Sequence, residues 1–243
     1  MLVLIALAGL AVAGYGLRGQ LKPRTFTPAQ QKRIKAWEVA KRWQTTPKTQ
    51  LFPAGITYKL GKRPSTKGAL VLRATRLEIA GQVSCSVGAG SSKFTSVLRR
   101  DGCATVLRST YADSTSSLVV TAGITVLKNG AAAIDAARFL TGGPAVGQGR
   151  IARQIVLRPF RVFGTTAASF GFPQRQLTWA IAAGPYLILT TVGYSDGRPR
   201  VPVGGDSYAY QEMTSLARGV AAQIAAPLAA APPVPRCPGV PSC

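Results

Sequence analysis

Histidine is missing from all 243 residues, so the commonest general base and metal ligand is unavailable, and Ser-His-Asp and Cys-His catalytic arrangements are excluded. Carboxylates are scarce as well: eight Asp and Glu stand against thirty Lys and Arg, and they are scattered along the chain. Asp196 and Asp206 flank one loop and come nearest to an acid and base pair, but Asp196 precedes Gly197, a pairing that serves turns. No Ser-x-x-Lys signature of an acylating serine occurs. Gly142, Gly143, Gly147 and Gly149 resemble a phosphate loop only in number, because no Lys-Ser/Thr pair follows, so they read as a flexible loop. These absences point to a chain that is not an enzyme and that carries no cofactor and no metal.

Four cysteines are present, and none of their spacings is that of a CxxC redox or zinc motif. A zinc site without histidine would need all four thiolates, two of them in a Pro-rich tail. Disulfides are the better reading. Of the three connectivities, the two local ones, Cys85 with Cys103 and Cys237 with Cys243, enclose compact segments. Closing the first loop stabilises the fold by about 3 kcal/mol in the chain-entropy estimate. Disulfides form and persist outside the cytoplasm, so the pairing implies export.

Residues 1–17 are apolar and uncharged, and Arg18, Lys22 and Arg24 follow at once. Such a segment is either a short membrane anchor or the apolar core of a cleaved signal peptide. About 20 residues are needed to span a bilayer comfortably, which leaves it at the short edge of an anchor. Ala11, Val12 and Ala13 fit a small-x-small cleavage site, although no basic residues precede the run. The Lys and Arg after it favour a cytoplasmic side for the rest of the chain. The disulfides oppose that placement and outweigh it. The expected location is a membrane-anchored extracytoplasmic domain, or a secreted one.

The net charge is +22, and fifteen of the thirty positive residues fall between Arg18 and Arg76, accompanied by Glu38 alone. A field of this sign attracts phospholipid headgroups, wall polymers and nucleic acid. Within that region the sequence predicts a basic helix over residues 28–44. Thr27 and Gln30 form a capping box, Pro28 suits the first helical position, and Pro47 ends the run. Ile34 and Trp37 share one face, while Lys32, Arg33, Lys35 and Arg42 cover much of the remainder. Two readings stand. The helix lies on an anionic membrane surface, with Trp37 and Trp43 at headgroup level and about 1 kcal/mol gained per basic residue; or it is a solvated stalk that packs Trp37 on the domain.

The organisation predicted is an anchor or signal over 1–17, a basic juxtamembrane helix and linker over 18–50, an α+β domain over 51–228, and a Pro/Ala-rich tail with a cysteine pair over 229–243. Alternation predicts strands over 56–60 and 69–85, with a bulge near Thr75, and a basic turn over 61–68. A helix over 91–100 ending at Gly102 precedes a hairpin of 103–112 with 118–128, then a helix over 131–140. A strand over 151–162, a helical turn over 165–170, a hairpin of 176–183 with 186–194 around Gly184 and Pro185, and a helix over 207–223 complete it. The order reads as two βαββα pseudo-repeats. They would build one antiparallel sheet with helices on one face, ferredoxin-like or dimeric α/β-barrel-like.

The run Gly102-Cys103-Ala104-Thr105-Val106-Leu107-Arg108-Ser109-Thr110-Tyr111, followed by Asp113 and by Ala122-Gly123-Ile124-Thr125-Val126-Leu127, resembles uncharacterised secreted or membrane-anchored actinobacterial proteins with a two-Cys α+β domain. Tyr186-Leu187-Ile188-Leu189-Thr190-Thr191-Val192-Gly193-Tyr194-Ser195-Asp196-Gly197-Arg198 resembles a second block of that group. The resemblance covers residues 85–225 and implies compartment and fold but no activity. The group is in turn loosely similar to the extracytoplasmic sensor domains of actinobacterial Ser/Thr kinases, and this chain holds no kinase segment.

Two function classes follow. The first is a non-catalytic binding, structural or sensor-like module of the cell envelope. It would meet an anionic polymer or an envelope protein through the 141–150 loop and through Arg150, Arg153, Arg158 and Arg161. The second is nucleic-acid binding through the basic surface, which sparse basic-aromatic interleaving does not favour.

Overall fold

Period-two runs rich in Val, Ile, Thr and Leu build one seven-stranded sheet in which every ladder is antiparallel. The strands are β1 (Gly55–Leu60), β2 (Leu70–Ile79), β3 (Thr105–Asp113), β4 (Leu118–Val126), β5 (Arg150–Ile151), β6 (Arg175–Ala183) and β7 (Tyr186–Tyr194), in the order β1-β2-β3-β4-β7-β6-β5. This computed structural model describes residues 26–60, 70–147, 149–154, 156–201 and 207–232. The apolar N-terminal segment, the 61–68 turn, Asp206, and Cys237 with Cys243 lie outside the described residues. The described helices are α1 (Pro28–Thr45), α2 (Lys48–Leu51), α3 (Cys85–Ala89), α4 (Ser92–Arg100), α5 (Gly130–Thr141) and α6 (Tyr208–Ala229). Residues Val39–Ala230 form one compact unit; of the described residues, 26–38 and 231–232 belong to a second.

Local chemistry sets the element ends. Asp113 closes the β3–β4 turn by accepting from Leu118 N at 2.7 Å and Thr115 N at 2.9 Å. Gly184, at φ +58°, turns the β6–β7 hairpin. Ser91, Asn129 and Ser207 cap α4, α5 and α6 by accepting from Phe94 N, Ala132 N and Tyr210 N. At α1, Thr27 and Gln30 exchange the reciprocal bonds of a capping box, at 2.9 and 3.3 Å. The Cys85–Cys103 disulfide, with 6.3 Å between the Cα atoms, ties the start of α3 to the chain entering β3.

Both faces of the central strands are buried, so the expectation of helices on one face is corrected. On one face, Leu107, Tyr111, Val120, Ala122, Ile124, Trp179, Ile181 and Ile188 pack against Met213, Leu216, Val220 and Ile224 of α6, with Val39 and Trp43 of α1 beside them. On the other face, Ala180, Ala182, Leu187 and Leu189 pack under Ala133, Ala136, Ala137 and Leu140 of α5 and under Phe94 and Leu98 of α4. Apolar residues on this second face, Leu187 and Leu189 among them, are interspersed with small and hydroxylated ones such as Ala180, Ala182, Gly123 and Thr121, which leave room for the second layer. Thr110, Thr121, Thr191 and Thr178 stand in register across β3, β4, β7 and β6, all buried, with hydroxyl pairs at 2.9 Å (Thr110, Thr121) and 2.8 Å (Thr178, Thr191).

That threonine row accounts for a second correction. The expected strand over 151–162 pairs only through Arg150–Ile151. The rest crosses the sheet face, with Val156, Leu157 and Val162 buried. Its backbone finds side-chain partners in place of a ladder: Thr110 donates its hydroxyl to Phe160 O at 2.6 Å, and Phe160 N donates to the Thr121 hydroxyl at 3.0 Å. Glycine makes the crossing close, since a Cβ on Gly123 would stand 2.7 Å from a Leu157 methyl. The strand expected over 69–85 ends at Ile79; a register shift falls between Arg76 and Glu78, and beyond Ile79 the chain meets β3 only through an isolated bridge of Val83 with Val106 before α3 begins.

Candidate functional site

The crossing segment gathers arginines. Arg108 (β3) and Arg175 (β6) project from the same sheet face and are only 7% and 6% exposed. Arg108 donates to Arg158 O at 3.2 Å and lies 5.8 Å from the Phe160 ring centre, while its buried Nε has no hydrogen-bond partner. Arg175 donates through Nε to Phe172 O at 2.9 Å and stacks 3.3 Å from the Phe172 ring centre. Arg158, Pro159, Arg161, Gly171 and half-exposed Phe172 line a concavity of about 300 Å³, and the buried pair bonds to two of these lining residues, Arg158 and Phe172. The Arg161 guanidinium rests against Gly171, where a Cβ would collide with it.

The electrostatics of the cluster are one-signed. Burial pushes the Arg108 guanidinium below its ordinary value, and the neighbouring positive charge of Arg158 adds to that. Arg175 is pushed down to about 10, first by burial and then by Arg158 and Arg200. Three carboxylates are engaged by other arginines: Asp101 pairs with Arg100, Asp135 with Arg138, and Asp196 with Arg198. Among the described residues, then, Arg158 and Arg161 line an open concavity while the positive charge of Arg158 bears on the buried Arg108 and Arg175 behind its lining, an arrangement that an oxyanion relieves.

The sequence-predicted contacts divide into two pairs. Arg158 and Arg161 line the concavity. Arg150 and Arg153 serve the end of α5: Arg153 N donates to Leu140 O at 2.7 Å, its guanidinium lies against the αL residue Gly142, and Arg150 lies beside Gly143. There they complement the helix C-terminus. Sequence reasoning missed Arg108, Arg175 and Arg200. The available signal was Arg108 itself, placed where β3 otherwise carries Val, Thr and Ala on the same face.

Along α1, Lys32, Arg33 and Trp37 are exposed, Trp37 at 62%, and Lys35 is partly exposed. Arg42 and Trp43 are engaged by the domain. Arg42 donates to the α6 carbonyls of Pro227 and Leu228 at 3.0 and 2.8 Å, and Trp43 packs against the α6-side core. Tyr186 Oη holds the same turn, donating to Val39 O at 2.6 Å and accepting from Trp43 N at 3.3 Å. Asp196 accepts from Arg198 N and Nε at 3.0 and 2.6 Å, bonds that hold its carboxyl below the usual range. It is a turn residue.

A second concavity, about 450 Å³, is lined by Thr57, Lys59, Val71, Arg218, Gly219 and Gln223. Its two cations, Lys59 and Arg218, share the lining with polar Thr57, Ser215 and Gln223 and with small and apolar groups. The smaller concavity also carries two cations, but in less volume and with the buried Arg108 and Arg175 bonded to its lining, and is the better anion site. Among the described residues, no cluster of three or more His, Cys, Asp or Glu is placed to hold a metal, and no helix is long and apolar enough to cross a membrane. Comparison with known protein families, curated proteins and solved structures returns no match.

Proposed function

We propose that the chain is a non-catalytic module of the cell envelope, anchored or secreted, that binds anionic envelope components outside the cytoplasm. The observation that carries this reading is the arginine cluster, in which Arg158 and Arg161 line an open concavity and the buried Arg108 and Arg175 bond to its lining. The Cys85–Cys103 disulfide supports an oxidising compartment. The exposed basic face of α1, with Lys32, Arg33, Lys35 and Trp37, supports contact with an anionic membrane surface. Kinship with the actinobacterial secreted proteins, and more distantly with kinase sensor domains, rests on the sequence blocks around Cys103 and Tyr186. Descent from two βαββα units is supported by the strand order, in which β2-β3-β4 and β7-β6-β5 meet at β4 and β7. The opposite placement of α5 and α6 is a departure from that symmetry.

Nucleic-acid binding is the second reading, favoured by one observation: Phe163 and Phe172, 82% and 50% exposed, stand on the arginine-bearing segment as ready stacking groups. Co-sedimentation with washed cell envelopes and with phosphatidylglycerol vesicles, against a single-stranded oligonucleotide, separates the two. The envelope reading expects retention on envelopes or vesicles. Preference for the oligonucleotide, with affinity falling steeply in salt, would replace it.

A further inference from the structure

The anionic partner is narrowed by how much charge the concavity concentrates. A lone carboxylate brings one negative charge to a site where the charge of Arg158 bears on both Arg108 and Arg175, two guanidiniums bonded to the concavity's lining residues. It would leave most of that repulsion in place. A phosphoryl group brings up to two charges and three acceptor oxygens, which match the donor forks of several guanidiniums. The concavity is open, and about 300 Å³ suits a headgroup or terminal phosphate, not a wholly enclosed small molecule. Arg108 supplies an independent pointer: a guanidinium more than nine-tenths buried, directly behind Arg158, whose Nε lacks a hydrogen-bond partner.

We infer that the concavity lined by Arg158, Pro159, Arg161, Gly171 and Phe172 is a phosphoryl-binding site. Arg158 and Arg161 grip the oxygens from the rim, and Arg108 and Arg175 hold their charge behind. Phe172 offers its half-exposed ring to the apolar neighbour of the phosphate. This rests on the anionic-partner reading and gives it a place and a chemistry. The phosphate of a lipid headgroup and that of a soluble phosphoester share that chemistry.

The full-length chain is titrated calorimetrically with inorganic pyrophosphate at constant ionic strength, and in parallel with phosphatidylglycerol vesicles. Wild type is compared with Arg158→Gln, Arg161→Gln, Arg158→Lys and Lys59→Gln. The last removes the same charge from the other concavity, and thermal melts check that each variant is folded. The site predicts at least tenfold weaker pyrophosphate binding in both glutamine variants, several-fold weaker binding in Arg158→Lys, which keeps the charge but loses the fork, and under twofold change in Lys59→Gln. Matching losses on vesicles make the source a lipid headgroup; vesicle binding indifferent to Arg158 makes it a soluble phosphoester. Equal losses in Arg158→Gln and Lys59→Gln would overturn the site while leaving an anion-binding surface intact. Tighter binding of an oligonucleotide than of either probe would overturn it in favour of nucleic acid. Failure to bind pyrophosphate, vesicles and oligonucleotide alike would remove both the site and the reading beneath it.

Discussion

Replacing Cys85 and Cys103 together by alanine removes a bond that closes a loop of 18 residues in sequence separation. The loop-closure entropy returned to the unfolded chain corresponds to about 3 kcal/mol at 25 °C. Both sulfurs are partly buried against the α4–α5 cluster, so truncation to alanine adds only a small packing loss. For a unit of this size each kcal/mol moves the midpoint by about 2–4 °C, which places the expected drop at roughly 6–12 °C. The melt is followed by circular dichroism without reductant, with Cys237 and Cys243 intact in both proteins, so that the difference belongs to this bond. The denaturant slope of the variant should rise, because its unfolded chain is more expanded. A midpoint within 2 °C of wild type would refute the link between α3 and β3 as a source of stability.

Thr121→Val leaves the partly buried Phe160 N–H without its acceptor and should cost about 1–3 kcal/mol, with faster amide exchange concentrated in residues 156–162; uniform exchange would argue against the crossing. Gly90→Ala forces a side chain onto a residue at φ +71° and into the Val156 carbonyl oxygen, so the loss should be about 2 kcal/mol or more by urea unfolding, and a neutral outcome would contradict the close approach. Burial is the first cause that raises the phenols of Tyr58, Tyr111 and Tyr186 above the ordinary value of 10. Unfolded tyrosines ionise near pH 10 while these stay protonated, so the folded state holds more protons above pH 10 and stability falls as pH rises further; below pH 10 their contribution is fully present. Absorbance at 295 nm should therefore show part of the tyrosine signal appearing only with loss of structure, and a single unhindered transition at pH 10 would count against their burial.

The elements legible in the sequence are those whose ends carry their own chemistry. The capping box at Thr27, the serine before α4, and the Asp113 and Gly184 turns mark α1, α4 and both central hairpins within a few residues. Expectation failed where tertiary contacts replace local ones. The 151–162 run has the apolar spacing of a strand, yet it is buried by crossing the sheet, and the partners that permit this are Thr110 and Thr121 on strands far away in sequence. The second helical layer was not legible either, because the face it covers carries these same threonines among its apolar residues. In the candidate site, Arg158 and Arg161 were legible as a local basic run. Arg108 and Arg175 join them only because β3 and β6 turn the same face to the crossing segment, and Arg150 and Arg153 leave the group because α5 ends beside them.

The most direct measurement is to treat intact cells with a membrane-impermeant maleimide, with and without prior reduction, and then to separate membrane, wall and culture fractions. An envelope module predicts labelling of the chain on intact cells only after reduction, and retention with the envelope or release to the medium. Labelling only after lysis, with thiols that react before any reductant is added, would place the domain inside the cell and contradict the proposed function.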